Sequence, residues 1–150
     1  MKWITTNLAI GSAYHDSDKG ELDNAGISAV LQLHEGAERW PPHWRTLHLP
    51  VSDGQAVPCD VLRAGCAFVQ AQRDAGRKTL IACLMGQSRS SAFVFACLLA
   101  DGYAPFEAWR LLKTRHPDAS PHPILLESVL RCCRVPLKVT DLYALKLEME

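Results

Sequence analysis

The sequence has no excess of charge of either sign, because 16 lysine and arginine residues balance 16 aspartate and glutamate residues. A nucleic-acid-binding protein would show a basic excess or a basic stripe, so we expect no nucleic-acid partner. The chain also has no apolar run near the ~20 residues of a membrane span, and its N-terminal segment lacks the apolar core of a signal peptide. We therefore expect a cytoplasmic protein with no membrane partner.

Metal-ligand patterns are missing as well. The histidines are scattered, and the cysteines lack the two Cys-x2-Cys pairs that are typical of a zinc site. We therefore expect no metal or cofactor. Without a signal peptide, we expect the cysteines that lie mostly in apolar helical pattern to be reduced thiols. These are Cys59, Cys66, Cys83, Cys97, Cys132 and Cys133. The loop histidine His34 is expected to be solvated.

What is present is the composition of an ordinary globular domain. With 150 residues, 48% hydrophobic and 21% charged, the chain is long enough for one domain with a sizeable core. Strand-like runs alternate with runs of helical period. This predicts an α/β domain with a central, mostly parallel sheet of about four to five strands flanked by helices. We place this domain at 1–135 and assign no role to a C-terminal extension at 136–150.

The predicted elements follow from hydrophobic period and from the positions of glycine and proline. Strands are expected at 27–33, 45–51 and 78–82, after a strand or hairpin at 3–10. Helices are expected at 18–24, 58–75, 90–101, 105–115 and 124–134. In the 105–115 helix, Phe106 and Trp109 are expected to face inward.

The most informative stretch is Ile81–Ser91, which joins one apolar run to another and predicts a strand, a tight loop and a helix. Cys83 ends the strand and Arg89 begins the helix. The loop amides and the helix N-terminus can converge on an anion, and the Arg89 guanidinium can bind two oxygens of a tetrahedral anion. Gly86 permits the turn. The expected binding residues are Leu84, Met85, Gly86, Gln87, Ser88 and Arg89.

A phosphate bound in this loop would present its phosphorus to the Cys83 sulfur. The same positive field stabilises a thiolate, so Cys83 is a candidate nucleophile and not only a core cysteine. Cleavage of a phosphate ester also needs a proton donor for the leaving oxygen. Asp53 is the best candidate, because it follows a strand and lies in a glycine-containing loop; Asp60 is the rival acid.

The stretch resembles the signature of the cysteine-based protein tyrosine phosphatases, in particular the dual-specificity phosphatases, which reads His-Cys-x-x-Gly-x-Ser-Arg-Ser. The matching residues are Cys83, Gly86, Ser88, Arg89 and Ser90, while Ala82 replaces the family histidine. The resemblance covers roughly residues 3–133. It implies a phosphocysteine mechanism in which Ser90 helps the thiolate to leave and Asp53, about thirty residues before the cysteine, is the acid.

A second segment extends the resemblance. In the family, Arg-Pro-x-x-x-Pro-Asn follows the helices after the signature, and its asparagine steadies the loop. Residues 115–122 follow this pattern with His122 in place of asparagine. His122 either donates the same kind of hydrogen bond or is a solvated turn residue.

These features predict a phosphomonoester hydrolase, similar to protein tyrosine and dual-specificity phosphatases, that acts on a phosphorylated protein or peptide. The variable loop residues Leu84, Met85 and Gln87 are uncharged, which argues mildly against phosphoinositides. Two other interpretations stay open: a weakly active or inactive phosphate-binding module, and a sulfurtransferase or arsenate reductase that uses the same cysteine. The phosphorylated residue type and the oligomeric state also stay open.

Overall fold

The structure is a computed structural model that describes residues 1–13 and 18–145. Its strands are β1 (Lys2–Trp3), β2 (Leu8–Ser12), β3 (Ile27–Gln32), β4 (Arg45–His48) and β5 (Lys78–Cys83). Its helices are α1 (Lys19–Asn24), α2 (Cys59–Asp74), α3 (Arg89–Ala100), α4 (Pro105–Arg115), α5 (Pro123–Cys132) and α6 (Val139–Tyr143). Over the residues described, none of these helices has the length and hydrophobicity of a membrane span.

The strands form one sheet in the order β1-β2-β5-β3-β4. Only the β1–β2 pair is antiparallel, so the expectation of a central, mostly parallel sheet of about four to five strands is confirmed, with five strands present. β5 lies in the middle and is buried from Thr79 to Cys83, as is typical of a strand covered on both faces. Cys83 ends β5 and so lies at the carboxyl edge of the sheet, where ligands bind in open parallel sheets.

Two apolar layers enclose the sheet. On one face α3 is the central helix, with Phe93, Phe95 and Leu98 fully buried, and α2, α4 and α5 pack around it. The other face carries a smaller cluster that includes Leu22 of α1 and Trp44. The near-continuous apolar sequence of α3 is therefore explained by its position between the sheet and the outer helices.

Two predicted elements differ in detail. β4 ends at His48, before Pro50, which has no N–H group for a strand ladder. The flanking amides of Leu49 and Val51 still donate to the β3 side of the sheet, at 2.9 and 3.0 Å. The prediction for Phe106 is wrong: it is 40% exposed, because the inner face of α4 is formed by Ala108, Trp109 and Leu112.

The sequence predicted that the cysteines are reduced, and this prediction is wrong for two of them. Cys59, the first residue of α2, and Cys132, the last of α5, form a disulfide with Cα atoms 5.4 Å apart. They are separated by 73 positions in the sequence, so only the packing of α2 against α5 brings them together. The free cysteines are Cys66, Cys83, Cys97 and Cys133.

Gly65 is the contact point between α2 and the core, and a Cβ atom there would lie 2.8 Å from Cε2 of Phe93. We expect Gly65→Ala to lower the free energy of unfolding by about 1–2 kcal/mol in urea denaturation. Overpacking costs about 1–3 kcal/mol, and the better helix propensity of alanine offsets up to about 1 kcal/mol. In a Phe93→Leu background the same substitution should cost nothing further. Equal losses in both backgrounds would contradict this account of the contact.

Candidate active site

The loop between β5 and α3 is held against the end of β2. Gly86 has φ +71°, and a Cβ atom there would lie 2.8 Å from the carbonyl oxygen of Gly11, so the backbones approach too closely for another residue. The Ser12 hydroxyl donates to the Leu84 carbonyl at 2.6 Å. The Ala13 amide donates to the Cys83 carbonyl at 3.0 Å. These contacts fix the path of the loop around the cysteine.

The Cys83 side chain lies inside this loop and is 2% exposed. The Gly86 amide donates to its sulfur at 3.2 Å. The amides of residues 84, 85, 87, 88 and 89 donate to no acceptor within residues 1–13 and 18–145. Unsatisfied amides at a helix N-terminus are the donors that anions use, so the loop can bind an oxyanion beside the sulfur.

Arg89 supplies the positive charge of the site. It is half-buried, and its Nη1 atom donates to the carbonyl oxygen of Val51 at 3.2 Å, just before the Asp53 loop. This bond uses one of the five donors of the guanidinium, which leaves others for an anion. Arg89 and Cys83 line the same cleft.

The hydroxyl of Ser88 joins three segments of the chain. It donates to Oδ1 of Asp53 at 2.6 Å and accepts from the His122 amide at 2.9 Å. Asp53 is exposed and lines the same cleft as Cys83, whereas Asp60 lies in the first turn of α2 and does not line it. The structure thus brings the predicted acid to the predicted nucleophile and leaves the rival acid elsewhere.

His122 contacts the loop differently from the expectation. Its backbone amide, not its imidazole, bonds to Ser88. The imidazole Nδ1 accepts from the Ile124 amide at 3.1 Å and so caps α5. Its ring also packs beside Gly54, next to the candidate acid. His122 is therefore neither a side-chain donor to the loop nor a free turn residue.

His116 is a residue of the site that sequence reasoning missed. Its Nε2 atom lies 2.8 Å from the carbonyl oxygen of Gly86, and because a carbonyl only accepts, Nε2 must carry the proton. Its Nδ1 atom is buried without a partner among the described residues. The signal was present, since His116 lies in the segment that follows the family pattern at 115–122, but that pattern drew attention only to His122.

His34 corrects another expectation, because it is 3% exposed instead of solvated. Its backbone carbonyl accepts from Nε2 of Gln32 at 3.1 Å and from Nε2 of His48 at 2.8 Å, which folds the segment after β3 inward. Burial lowers the pKa of His34, an effect that Glu38, 3.6 Å away, partly offsets. A lowered pKa keeps this histidine neutral near pH 7, so it adds no charge beside Arg89.

The cleft has a volume of about 400 Å³. Its lining combines several predicted residues with the segment at 120–123 and with Tyr143 of the C-terminal extension: Asp53, Cys83, Met85, Gln87, Ser88, Arg89, Ser120, Pro121, His122, Pro123 and Tyr143. Leu84 is 47% exposed and does not line the cleft. Ser90 is fully buried, and its hydroxyl has no partner within the described part of the chain.

Tyr143 was also missed, because it belongs to the extension at 136–150, of which residues 146–150 lie outside the described residues. It is the last residue of α6, which is anchored by the fully buried Leu142. The Tyr143 hydroxyl donates to the carbonyl oxygen of Pro121 at 2.8 Å, and its ring meets Trp109 edge to face at 5.6 Å. Half of the residue remains exposed at the cleft.

No group of three or more His, Cys, Asp or Glu side chains that could hold a metal occurs among the described residues. The described residues of the cleft and its loop present amide donors, the Arg89 guanidinium, the Cys83 thiol and the Asp53 carboxyl group. Such a set can bind a tetrahedral oxyanion and supply it with a nucleophile and an acid.

We expect His116→Ala to lower the free energy of unfolding by about 1–3 kcal/mol, because the buried Gly86 carbonyl loses its donor. Inorganic tungstate should also bind more weakly. His116→Gln, which keeps a nitrogen donor, should recover most of both losses. His43→Ala, which removes an exposed histidine, is the control and should cost about 1 kcal/mol or less. Urea denaturation measures the loss of stability, and calorimetric titration measures tungstate binding. Unchanged tungstate binding in His116→Ala would show that His116 does not position the loop for anion binding.

Comparison with known proteins identifies the family and the fold. The profile of the family described as "Dual specificity phosphatase, catalytic domain" matches residues 8–133. The chain is 29% identical over 122 residues to mouse dual specificity protein phosphatase 1, and 30% identical over 125 residues to mouse dual specificity protein phosphatase 2. Each match covers 79% of this chain but only 33% and 38% of those relatives, so the chain spans about a third of their length.

Solved structures share the fold. The crystal structure of human DUSP28 superposes with a TM-score of 0.78 at 25% identity, covering 89% of this chain and 96% of that chain. The crystal structure of DUSP15 superposes with a TM-score of 0.80 at 21% identity, covering 89% and 86%, a likeness of fold alone. Since the family profile spans most of the sequence, the chain belongs to the dual specificity phosphatase catalytic-domain family.

Proposed function

We propose that this protein is a phosphomonoester hydrolase that cleaves phosphorylated protein or peptide through a phosphocysteine intermediate. The observation that carries the proposal is the meeting of Cys83, Arg89 and Asp53 in one cleft, where the Ser88 hydroxyl holds the carboxyl group at 2.6 Å. Anion binding, nucleophilic attack and proton donation each have a residue there. Family membership supports the same class of reaction.

In the first half-reaction the free loop amides and Arg89 bind the phosphoryl oxygens. The Cys83 thiolate attacks phosphorus, and the bond between phosphorus and the leaving oxygen breaks. Asp53, protonated, gives its proton to that oxygen, because an unprotonated alkoxide or phenoxide leaves poorly. The same amides stabilise the charge that builds on the equatorial oxygens in the transition state.

In the second half-reaction water hydrolyses the phosphocysteine. Asp53, now a carboxylate, takes a proton from the attacking water, and the sulfur leaves as a thiolate. The Gly86 amide, 3.2 Å from the sulfur, stabilises that thiolate. The Ser90 hydroxyl, buried behind the loop, is the second candidate to assist the leaving sulfur.

The charge of the cleft favours a substrate with one phosphate. Among the described residues that line it, Arg89 is the only lysine or arginine. A polyphosphate or phosphoinositide would need further cations to meet its additional phosphates. A phosphorylated side chain needs no further cations, so phosphoprotein is the proposed substrate class.

Location in the cytoplasm remains a prediction of the sequence.

The other two interpretations make different demands on the site. A pure binding module needs the amides and Arg89 but has no use for a nucleophile or an acid. A sulfurtransferase or arsenate reductase needs the loop cysteine but not a proton donor held at the loop by Ser88. Hydrolysis that depends on both Cys83 and Asp53 is therefore the result that separates the three functions.

We expect hydrolysis of a small aryl phosphate to be abolished by Cys83→Ser and slowed about 10²–10⁴-fold by Asp53→Asn, because the first removes the nucleophile and the second the acid. Asp60→Asn is the matched control and should behave like the parent. Steady-state kinetics from pH 4.5 to 8.5 measure these effects.

Equal rates in the parent protein and in Cys83→Ser at every pH would exclude the hydrolase. Retained binding of tungstate in that case would leave an anion-binding module. Loss of activity in Asp60→Asn instead of Asp53→Asn would assign the acid to α2 and contradict the role of the Ser88 contact.

We further expect Tyr143→Ala to raise KM for a phosphotyrosine peptide about 3- to 10-fold with little change in kcat, because an aromatic contact contributes about 0.5–1.5 kcal/mol. Tyr143→Phe keeps the ring and loses only the bond to Pro121, so it should retain most of the affinity. Tyr103→Ala, an exposed tyrosine outside the cleft, is the control. Steady-state kinetics that show the same KM for Tyr143→Ala and the parent would show that α6 does not contact the substrate.

A further inference from the structure

The five cysteines other than Cys83 all belong to the helices that pack on one face of the sheet. Cys59 and Cys66 lie on α2, Cys97 on α3, and Cys132 and Cys133 at the end of α5. Cys59 and Cys132 already form a disulfide. The helical layer on this face therefore holds both a disulfide, between α2 and α5, and free thiols.

Two of the free thiols are in direct contact. The sulfur atoms of Cys66 and Cys97 are 3.8 Å apart, with Cys97 as the donor. Cys66 is half-buried, whereas Cys97 is 3% exposed. A reagent in solution can thus reach Cys66 first, with Cys97 directly behind it.

The surroundings of the two thiols differ. The hydrogen bond from Cys97 lowers the pKa of Cys66, which favours the thiolate that reacts. The same bond, together with burial, raises the pKa of Cys97, so this residue keeps its proton until its partner has reacted. Cys133 is close enough to interact electrostatically with Cys66, but burial raises the pKa of Cys133 and makes it the weaker nucleophile.

The pair is separate from the catalytic cysteine. Cys66 and Cys97 lie about 10–12 Å along α2 and α3 from the N-terminal ends of these helices, at 1.5 Å per residue. α2 follows the Asp53 loop and α3 follows the Cys83 loop. A bond between the two thiols would therefore join the helices behind the two halves of the site without involving Cys83.

We propose that Cys66 and Cys97 form a redox-active dithiol that reacts with low-molecular-weight disulfides such as glutathione disulfide. The Cys66 thiolate attacks one sulfur of the reagent, the reagent's disulfide bond breaks, and one glutathione thiolate leaves. Cys97 then gives up its proton, attacks the Cys66 sulfur and expels the second glutathione, which takes that proton. Two cysteine thiols are oxidised and one glutathione disulfide is reduced to two glutathione molecules.

The test uses the full chain with Cys83→Ser, so that the nucleophile of the candidate active site takes no part. After incubation with glutathione disulfide, the remaining thiols are alkylated in denaturant and located by peptide mass spectrometry. We expect a Cys66–Cys97 cross-link, with Cys133 as the alkylated cysteine and the Cys59–Cys132 disulfide retained. A cross-link between Cys66 and Cys133, or full alkylation of both Cys66 and Cys97, would overturn the proposal.

Single variants test whether Cys66 is the attacking thiol and Cys97 the resolving thiol. In Cys97→Ser a glutathione adduct should accumulate on Cys66, because no resolving thiol remains. In Cys66→Ser the rate of thiol loss should fall at least 10-fold, while Cys133→Ser should react like the parent. An adduct on Cys133 or none on Cys66 in Cys97→Ser would refute the assignment. Circular dichroism identifies any misfolded variant, and the cross-link in the unsubstituted pair decides the proposal even if one variant fails to fold.

Discussion

The close approach of two backbones at Gly86 is the constraint on which the site depends. A side chain there would lie 2.8 Å from the Gly11 carbonyl, so the loop after β5 can take its path only with glycine at this position. That path turns the Gly86 amide toward the Cys83 sulfur and its carbonyl toward His116. The backbone of this one glycine thus contacts the end of β2, the candidate nucleophile and the segment after α4.

A second coupling runs through the Ser88 hydroxyl, which both donates and accepts. It ties the Asp53 loop and the His122 segment to the loop that carries Cys83. Each of these segments follows a different element of the fold, so the site is assembled from distant parts of the sequence. Because a hydroxyl can serve an acceptor and a donor at once, a small side chain is sufficient for this junction.

The thiols of the protein fall into two environments that the fold keeps apart. Cys83 lies at the carboxyl edge of the sheet, among amide donors and next to a cation. The other cysteines lie in the helical layer, where they are buried or half-buried and where the sulfur atoms of Cys66 and Cys97 are 3.8 Å apart. The physical distance between the edge of the sheet and the middle of its covering helices allows one chain to hold thiols with different chemistry.

The α/β class and the central strand followed from the sequence alone, because they depend on local period and on residues close together in the chain. The nucleophile loop and the acid Asp53 were predicted from the same local patterns and stay predictions. Tertiary packing was needed to show that His116 contacts the loop and that Tyr143 lines the cleft, because both residues lie far from Cys83 in the sequence. The Cys59–Cys132 disulfide and the burial of His34 likewise depend on packing between elements, which hydrophobic period does not encode.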